Sequence, residues 1–238
     1  MHKYLANPNH KINLEADYDI DYPNGEQDYE SSFFSYAPTD IHSTPKKSAS
    51  GPSLNMAQFL SKKLRWLTLG SQYDWPTRAY PKNSKTDFPK DIAKLVAGLF
   101  PHIRAESGVC LLYGGKDYMP VHRDVSEQCE KALASFSLGC DGIFIVARGE
   151  EEIDDPGERR KRVVAIRVRS GDCIHLDGET RWAWHAMPRT IAGTCPDHLK
   201  DWPVGTLGAS QTDEKAFVKW KGYMGRKRLN VSCRQVWN

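Results

Sequence analysis

"RLNVSCRQV", residues 228–236, alternates polar and apolar side chains. In a β-strand, residues i and i+2 point to the same side. Leu229, Val231 and Cys233 then share an apolar face, and Arg228, Asn230, Ser232 and Arg234 share a wholly polar one. Two arginines turned into a sheet interior are costly without an anionic partner. A doubly anionic ligand would satisfy them; a solvent-exposed face is the alternative reading.

Upstream of this segment the same signal recurs. "GVCLLY" (108–113), "LASFSLG" (133–139), "GIFIVA" (142–147), "VVAIRVR" (163–169), "DCIHL" (172–176) and "TRWAWHAM" (180–187) are short β-like runs divided by Gly, Pro and charged turns. With no long helix between them they predict an antiparallel sandwich, most simply a jelly roll. The charged stretch 148–162 reads as a solvated hairpin loop around Pro156-Gly157, and 189–225 as a long irregular insertion.

The region before residue 105 differs. Residues 1–52 read as a polar arm, extended over the domain or partly disordered, with "SFFSYAP" (32–38) its aromatic cluster. Residues 53–104 read as a helical, lid-like segment. "GPSLNMAQFLSKKLRW" predicts a short helix capped by Ser53. "DFPKDIAKLVAGLF" predicts a second, with Pro89 in its first turn and Ile92, Leu95, Val96 and Leu99 on one stripe. The expected fold is mainly β with flanking helices, its β-core spanning 105–238.

Composition sets the wider bounds. The 238 residues suit one domain with an extension, and 26% charged with 39% hydrophobic residues is ordinary for a globular chain. No apolar run approaches the ~18 residues of a membrane span, and the N-terminus has no apolar signal core. Six cysteines without a C-x-x-C pair make a zinc ribbon or disulfide framework unexpected and point to a reducing, intracellular setting. Nucleus, cytoplasm and mitochondrion are not distinguished. Residues 1–57 hold four Lys or Arg against eight Asp or Glu, while the remainder holds 29 against 22. A basic body is compatible with a polyanionic partner.

"YMPVHRDVSE" (118–127) carries the metal signal. His122 and Asp124, two apart, can reach one ion, and His185 lies on a distant strand. Two histidines and a carboxylate with open positions form the facial triad of non-haem Fe(II) oxygenases. A second H-x-D, "IHLD" at His175–Asp177, lacks comparable partners in the sequence. It reads as a packed or outward-facing strand histidine followed by a turn aspartate.

The wording "LRWLTLG-x-x-YDW", "H-x-D-x-SE", "SFSLG" and "R-x-N-x-S-x-RQV", from about residue 64 to 237, resembles AlkB-type Fe(II)/2-oxoglutarate dioxygenases, nearest the eukaryotic AlkB homologue one branch in its fungal form. The resemblance implies a double-stranded β-helix, preceded by a nucleotide-recognition lid. It implies Fe(II) and 2-oxoglutarate as cofactors, with dioxygen as co-substrate and methylated DNA or RNA, including tRNA, as partner.

Carried over by position, His122, Asp124 and His185 match the iron ligands. Tyr113, Arg228, Asn230 and Arg234 match 2-oxoglutarate contacts. The family asparagine two residues before that tyrosine is Leu111 here, which removes one expected hydrogen bond. Tyr73, Trp75 and Tyr80 are candidate base-stacking residues, and Ser126 and Glu127 candidate readers of the base edge. Lys219, Lys221, Arg226 and Lys227 are candidate phosphate contacts. The implied reaction hydroxylates an N-methyl group, which leaves as formaldehyde. A catalytically weak nucleic-acid-binding module and a protein hydroxylase are the alternatives. The start of the chain looks like the tail of the family's N-terminal region, so a truncated product is also expected.

Overall fold

In the computed structural model, residues 10–23, 32–74, 76–82, 86–152, 159–207 and 211–238 are described. The strands, in chain order, are β1 Tyr18–Ile20, β2 Ile41–Pro45, β3 Leu54–Asn55, β4 Trp66–Gly70, β5 Ser107–Tyr113, β6 Met119–His122, β7 Leu133–Gly139, β8 Gly142–Glu152, β9 Arg159–Val168, β10 Cys173–Leu176, β11 Trp184–Thr190 and β12 Arg228–Arg234.

β12 lies at the centre of a five-stranded sheet ordered β10-β7-β12-β5-β4, facing a four-stranded sheet ordered β6-β11-β8-β9. All pairings in both are antiparallel. Tyr113, Leu133 and Leu176 from the first sheet pack with Phe144, Val168 and Met187 from the second. This is the jelly roll the short strands predict. Both faces of β12 are covered: Arg228 is 1% exposed and Cys233 0%. The polar face of "RLNVSCR" is therefore interior, and the solvent-exposed alternative falls. The turn between β7 and β8 needs Gly139, whose φ of +82° and close approach to the Lys227 carbonyl exclude a Cβ.

The outer face of the five-stranded sheet is covered by the arm, with its aromatic cluster, and by the 189–225 insertion. The arm contributes β1 and β2 to a small sheet completed by β3, and Phe33 and Phe34 are fully buried. They pack with Leu67, Leu69, Phe217, Trp220 and Tyr223, so the 189–225 insertion is largely structured and supplies the other half of this core. It includes helices Asp197–Lys200 and Gln211–Phe217.

Several local expectations change. The first helix, Met56–Gln58, is capped by Asn55 rather than Ser53; Asn55 accepts from Gln58 N and Gln58 reciprocates. It ends in a π-helical turn, Phe59–Lys63. "LRWLTLG" then enters the main sheet as β4, so the 53–104 segment is not wholly helical. On the second helix, Lys90–Leu99, Ile92 and Val96 meet the sheet while Leu95 and Leu99 are exposed. The buried stripe is Phe88, Ile92, Val96 and Phe100, an i, i+4 line matching a narrow contact. "TRWAWHAM" begins with a 3₁₀ turn, Gly178–Trp182, before β11. β8 and β9 extend into the charged 148–162 stretch, whose centre, with the Pro156-Gly157 turn, lies outside the described residues. No helix among the described residues is long and apolar enough to cross a membrane.

Candidate active site

A cavity of about 700 Å³ opens between the two large sheets. Its walls include His122, Asp124 and His185, and also Tyr113, Arg228, Asn230 and Arg234. These are the two groups singled out in the sequence, brought into one space.

His122 and His185 are cross-strand partners on β6 and β11. Asp124 sits just past the end of β6. The potential ligand atoms of the three residues all lie within 4.8 Å of one another. The register of β11 slips after His185, and the irregularity turns the strand beside the site. Each imidazole has its Nδ1 next to a backbone carbonyl: His122 at 2.9 Å from Pro120 O and His185 at 3.0 Å from Ala183 O. Donation from Nδ1 leaves Nε2 free as a metal ligand and fixes the ring. Burial lowers the His185 pKa, favouring the neutral imidazole that a metal requires. Burial alone would raise Asp124, but Arg234, His185, His122 and Arg181 outweigh it and keep the carboxylate ionised.

The arginines divide the polar wall. Arg228 Nη2 donates to Ser137 Oγ at 2.9 Å. Its Nε and Nη1 are buried and have no hydrogen-bond partner among the described residues. Unmatched donors on a guanidinium 1% exposed are costly, and a carboxylate is the ligand that would match them. Tyr113 stands opposite Arg228 in the strand register. Burial pushes its phenol up to about 12 against the opposing pull of Arg228, so it remains a donor. Asn230 Nδ2 is held by Ser135 Oγ and Phe136 O. Leu111, opposite Asn230, lines the cavity with a methyl surface at the position where the resemblance leads one to expect an asparagine. Donor set and anion cradle therefore fit Fe(II) and 2-oxoglutarate.

Arg234, expected as a 2-oxoglutarate contact, lines the cavity and also pairs with two carboxylates. Its Nη1 contacts Glu127 Oε1 at 2.9 Å and Asp124 Oδ1 at 3.3 Å. Glu127 is not a base reader. Its side chain is fully buried, and its second oxygen accepts from Arg181 Nη2 at 2.8 Å. Arg181 also donates to the carbonyls of Asp124 (2.7 Å) and Lys131 (2.9 Å). The Arg181–Glu127–Arg234 array thus anchors the loop that carries Asp124. Sequence spacing signals none of this, because Arg181 and Glu127 are 54 residues apart.

Of the remaining candidates, Tyr73 and Ser126 line the cavity mouth. Tyr80 also borders it but is 3% exposed, edge-on to Tyr73 and Trp237. That position suits a support for Tyr73 better than a stacking platform. Trp75 lies outside the described residues. Lys219 and Lys221 are exposed but do not border the cavity; they flank Trp220, which is anchored in the core beneath the arm. Lys227 is not a phosphate contact: it is buried, donates to Ser61 O at 3.0 Å, and burial lowers its pKa to about 8. The sequence reading missed Lys11, Trp66 and Gln72 at the mouth. It also missed the exposed Trp184, over which Arg123 stacks at 4.8 Å.

A family model described as the 2OG-Fe(II) oxygenase superfamily matches residues 27–234. Among curated proteins, the N6-methyladenosine RNA demethylase ALKBH of Cryphonectria parasitica is 40% identical over 229 residues, 94% of this chain and 99% of its own. The N6-methyladenosine RNA demethylase ALKB1 of Pyricularia oryzae is 36% identical, covering 99% of this chain and 68% of that protein. The tRNA demethylase abh1 of Schizosaccharomyces pombe is 32% identical, over 99% of this chain and 72% of its own.

Proposed function

We propose that this chain, which belongs to the 2OG-Fe(II) oxygenase superfamily, removes N-methyl groups oxidatively from bases in RNA, with DNA as the second candidate polymer. It is an AlkB-type, Fe(II)- and 2-oxoglutarate-dependent dioxygenase of the fungal type. The RNA assignment leans on the three fungal relatives, named as RNA or tRNA demethylases; a plant relative named as a DNA N(6)-methyladenine demethylase keeps DNA as the second candidate. One observation carries the reaction class: an imidazole–carboxylate triad and a buried arginine with unmatched donors share one cavity.

His122, Asp124 and His185 would hold the iron on one side, leaving positions open toward the cavity. Arg228 and Tyr113 would take the distal carboxylate of 2-oxoglutarate at the far end. Fe(II), when bound with 2-oxoglutarate and dioxygen, supplies the oxidising power to hydroxylate an N-methyl carbon. Leu111, Leu133, Phe144, Ile174, Leu176 and Met187 line the same space and keep water from it. A base must leave its stack to enter, and Tyr73 at the mouth is the aromatic face offered to it. Ser126, two residues after Asp124 and lining the same cavity, is our candidate contact to the base edge. We also place the protein in a reducing compartment, a reading supported by six free thiols.

The test is release of formaldehyde and succinate from N6-methyladenosine-containing RNA and DNA oligonucleotides and from total tRNA, with Fe(II) and 2-oxoglutarate supplied. The proposal expects stoichiometric release that a His122→Ala/Asp124→Ala variant abolishes. Equal turnover by wild type and variant would overturn it.

A further inference from the structure

The second H-x-D of the sequence acquires a partner in the fold. His175 stands on β10, the edge strand of the five-stranded sheet. Its neighbours Ile174 and Leu176 line the active-site cavity, so alternation turns His175 to the opposite face of the sheet. There the turn after helix Lys90–Leu99 packs. Phe100 stacks on the His175 ring at 4.5 Å with planes 4° apart, and His102 Nε2 comes within 3.3 Å of His175 Nε2. Asp177 completes the group: the ligand atoms of His102, His175 and Asp177 all lie within 4.8 Å of one another. Asp177 Oδ1 accepts from Gly178 N at 2.8 Å and so caps the following turn, which fixes the carboxylate.

We propose that His102, His175 and Asp177 bind a divalent transition metal, Zn(II) or a cation of the same borderline class, at a site separate from the iron triad. Two imidazoles and one carboxylate are a donor set such cations accept, with a further position open to solvent or to a partner's side chain. Tetrahedral coordination with Zn–N of about 2.0–2.1 Å places two nitrogens about 3.3–3.4 Å apart, the separation His102 and His175 already have. The stacked Phe100 holds one ring, the β10 backbone sets its direction, and the capping bond holds the carboxylate. The iron triad stands on the four-stranded sheet, facing the cavity, whereas His175 lies on the far side of the five-stranded sheet, so the two triads cannot share an ion. A metal here would tie the helix-to-strand turn to the sheet edge more firmly than the ring stacking, imidazole contact and apolar packing that already join them.

The iron triad also takes Zn(II), so the experiment counts equivalents. Wild type, His102→Ala, Asp177→Asn and His122→Ala/Asp124→Ala proteins are dialysed against micromolar Zn(II) and bound zinc is measured by mass spectrometry. The proposal expects two equivalents on wild type and one on each variant. It also expects Zn(II) to raise the melting temperature of the His122→Ala/Asp124→Ala protein, and that rise to vanish when His102→Ala is added. His102 is exposed and Asp177→Asn retains a capping oxygen, so matching metal-free melting temperatures verify the folds. One equivalent on wild type would mean that the two imidazoles only hydrogen-bond to each other, and two on His102→Ala would place the second ion elsewhere. Either result overturns the proposal.

Discussion

Replacing Glu127 by Gln tests the array behind Asp124. Glu127 is fully buried and joins two guanidinium groups, Arg181 at 2.8 Å and Arg234 at 2.9 Å, whose side chains are 1% and 9% exposed. Hydrogen bonds to charged groups contribute about 1.5–3 kcal/mol each, and removing one partner of a buried ion pair costs about 3–5 kcal/mol. Glutamine keeps one acceptor oxygen but presents an NH2 group to the other guanidinium, donor against donor. The expected loss is therefore near the lower bound, about 3 kcal/mol. For a chain of this length, ~1 kcal/mol moves Tm by about 2–4 °C, so a fall of about 6–12 °C is expected. Urea unfolding supplies the free energy, with an unchanged slope as the check that only stability moved. Ser126→Ala, one residue away at the cavity mouth, should leave stability unchanged while raising KM for the methylated oligonucleotide. A Glu127→Gln loss below about 1 kcal/mol would refute the claim that this array is what holds the Asp124 loop.

Glu127 also sets an acid limit. Burial pushes its pKa up, but Arg234 and Arg181 outweigh this, and the folded value is depressed. Stability from a depressed carboxylate is complete above its unfolded pKa of about 4.3 and is lost as pH falls through the folded value. Wild type should therefore lose more stability than Glu127→Gln between about pH 5 and 3, read by thermal melts. Arg228→Ala should raise KM for 2-oxoglutarate by roughly 10- to 100-fold, from about 1.5–3 kcal/mol per lost charged hydrogen bond, with a smaller effect on kcat in steady-state assays. Leu111→Asn should lower the same KM by about 2- to 10-fold, the return of one ordinary hydrogen bond at about 0.5–1.5 kcal/mol. Chelation of the metal should abolish turnover, and added Fe(II) should restore it.

The parts of the fold legible in the sequence were those with a period. The alternation in Arg228–Arg234 identified β12 and its polar face, but whether that face points inward or to solvent was decided only by the covering sheet. The i, i+2 spacing of His122 and Asp124 pointed to one ion, although Asp124 lies just beyond the strand. What escaped reading depended on contacts with no spacing. Glu127 looks like a surface acid until Arg181 is brought to it. The stripe on helix Lys90–Leu99 was drawn too wide, because the pattern cannot tell which of Leu95 and Val96 meets the sheet. Residues 66–70 followed a helix-like run and hid a strand. His175 lacked a partner because His102 lies 73 residues before it.

The central position of β12 bears on how the protein is made. Strands β5 and β7 flank it on either side, yet both emerge from the ribosome long before it. Until residues 228–234 are synthesised, each presents an open edge able to pair with another nascent chain. Arg228 and Arg234 arrive on the strand that closes this gap. A chain synthesised only through β11, to Thr190, already contains all three iron ligands but still lacks Arg228 and Arg234. Metal could be captured early; oxidation must wait until the sheet is sealed.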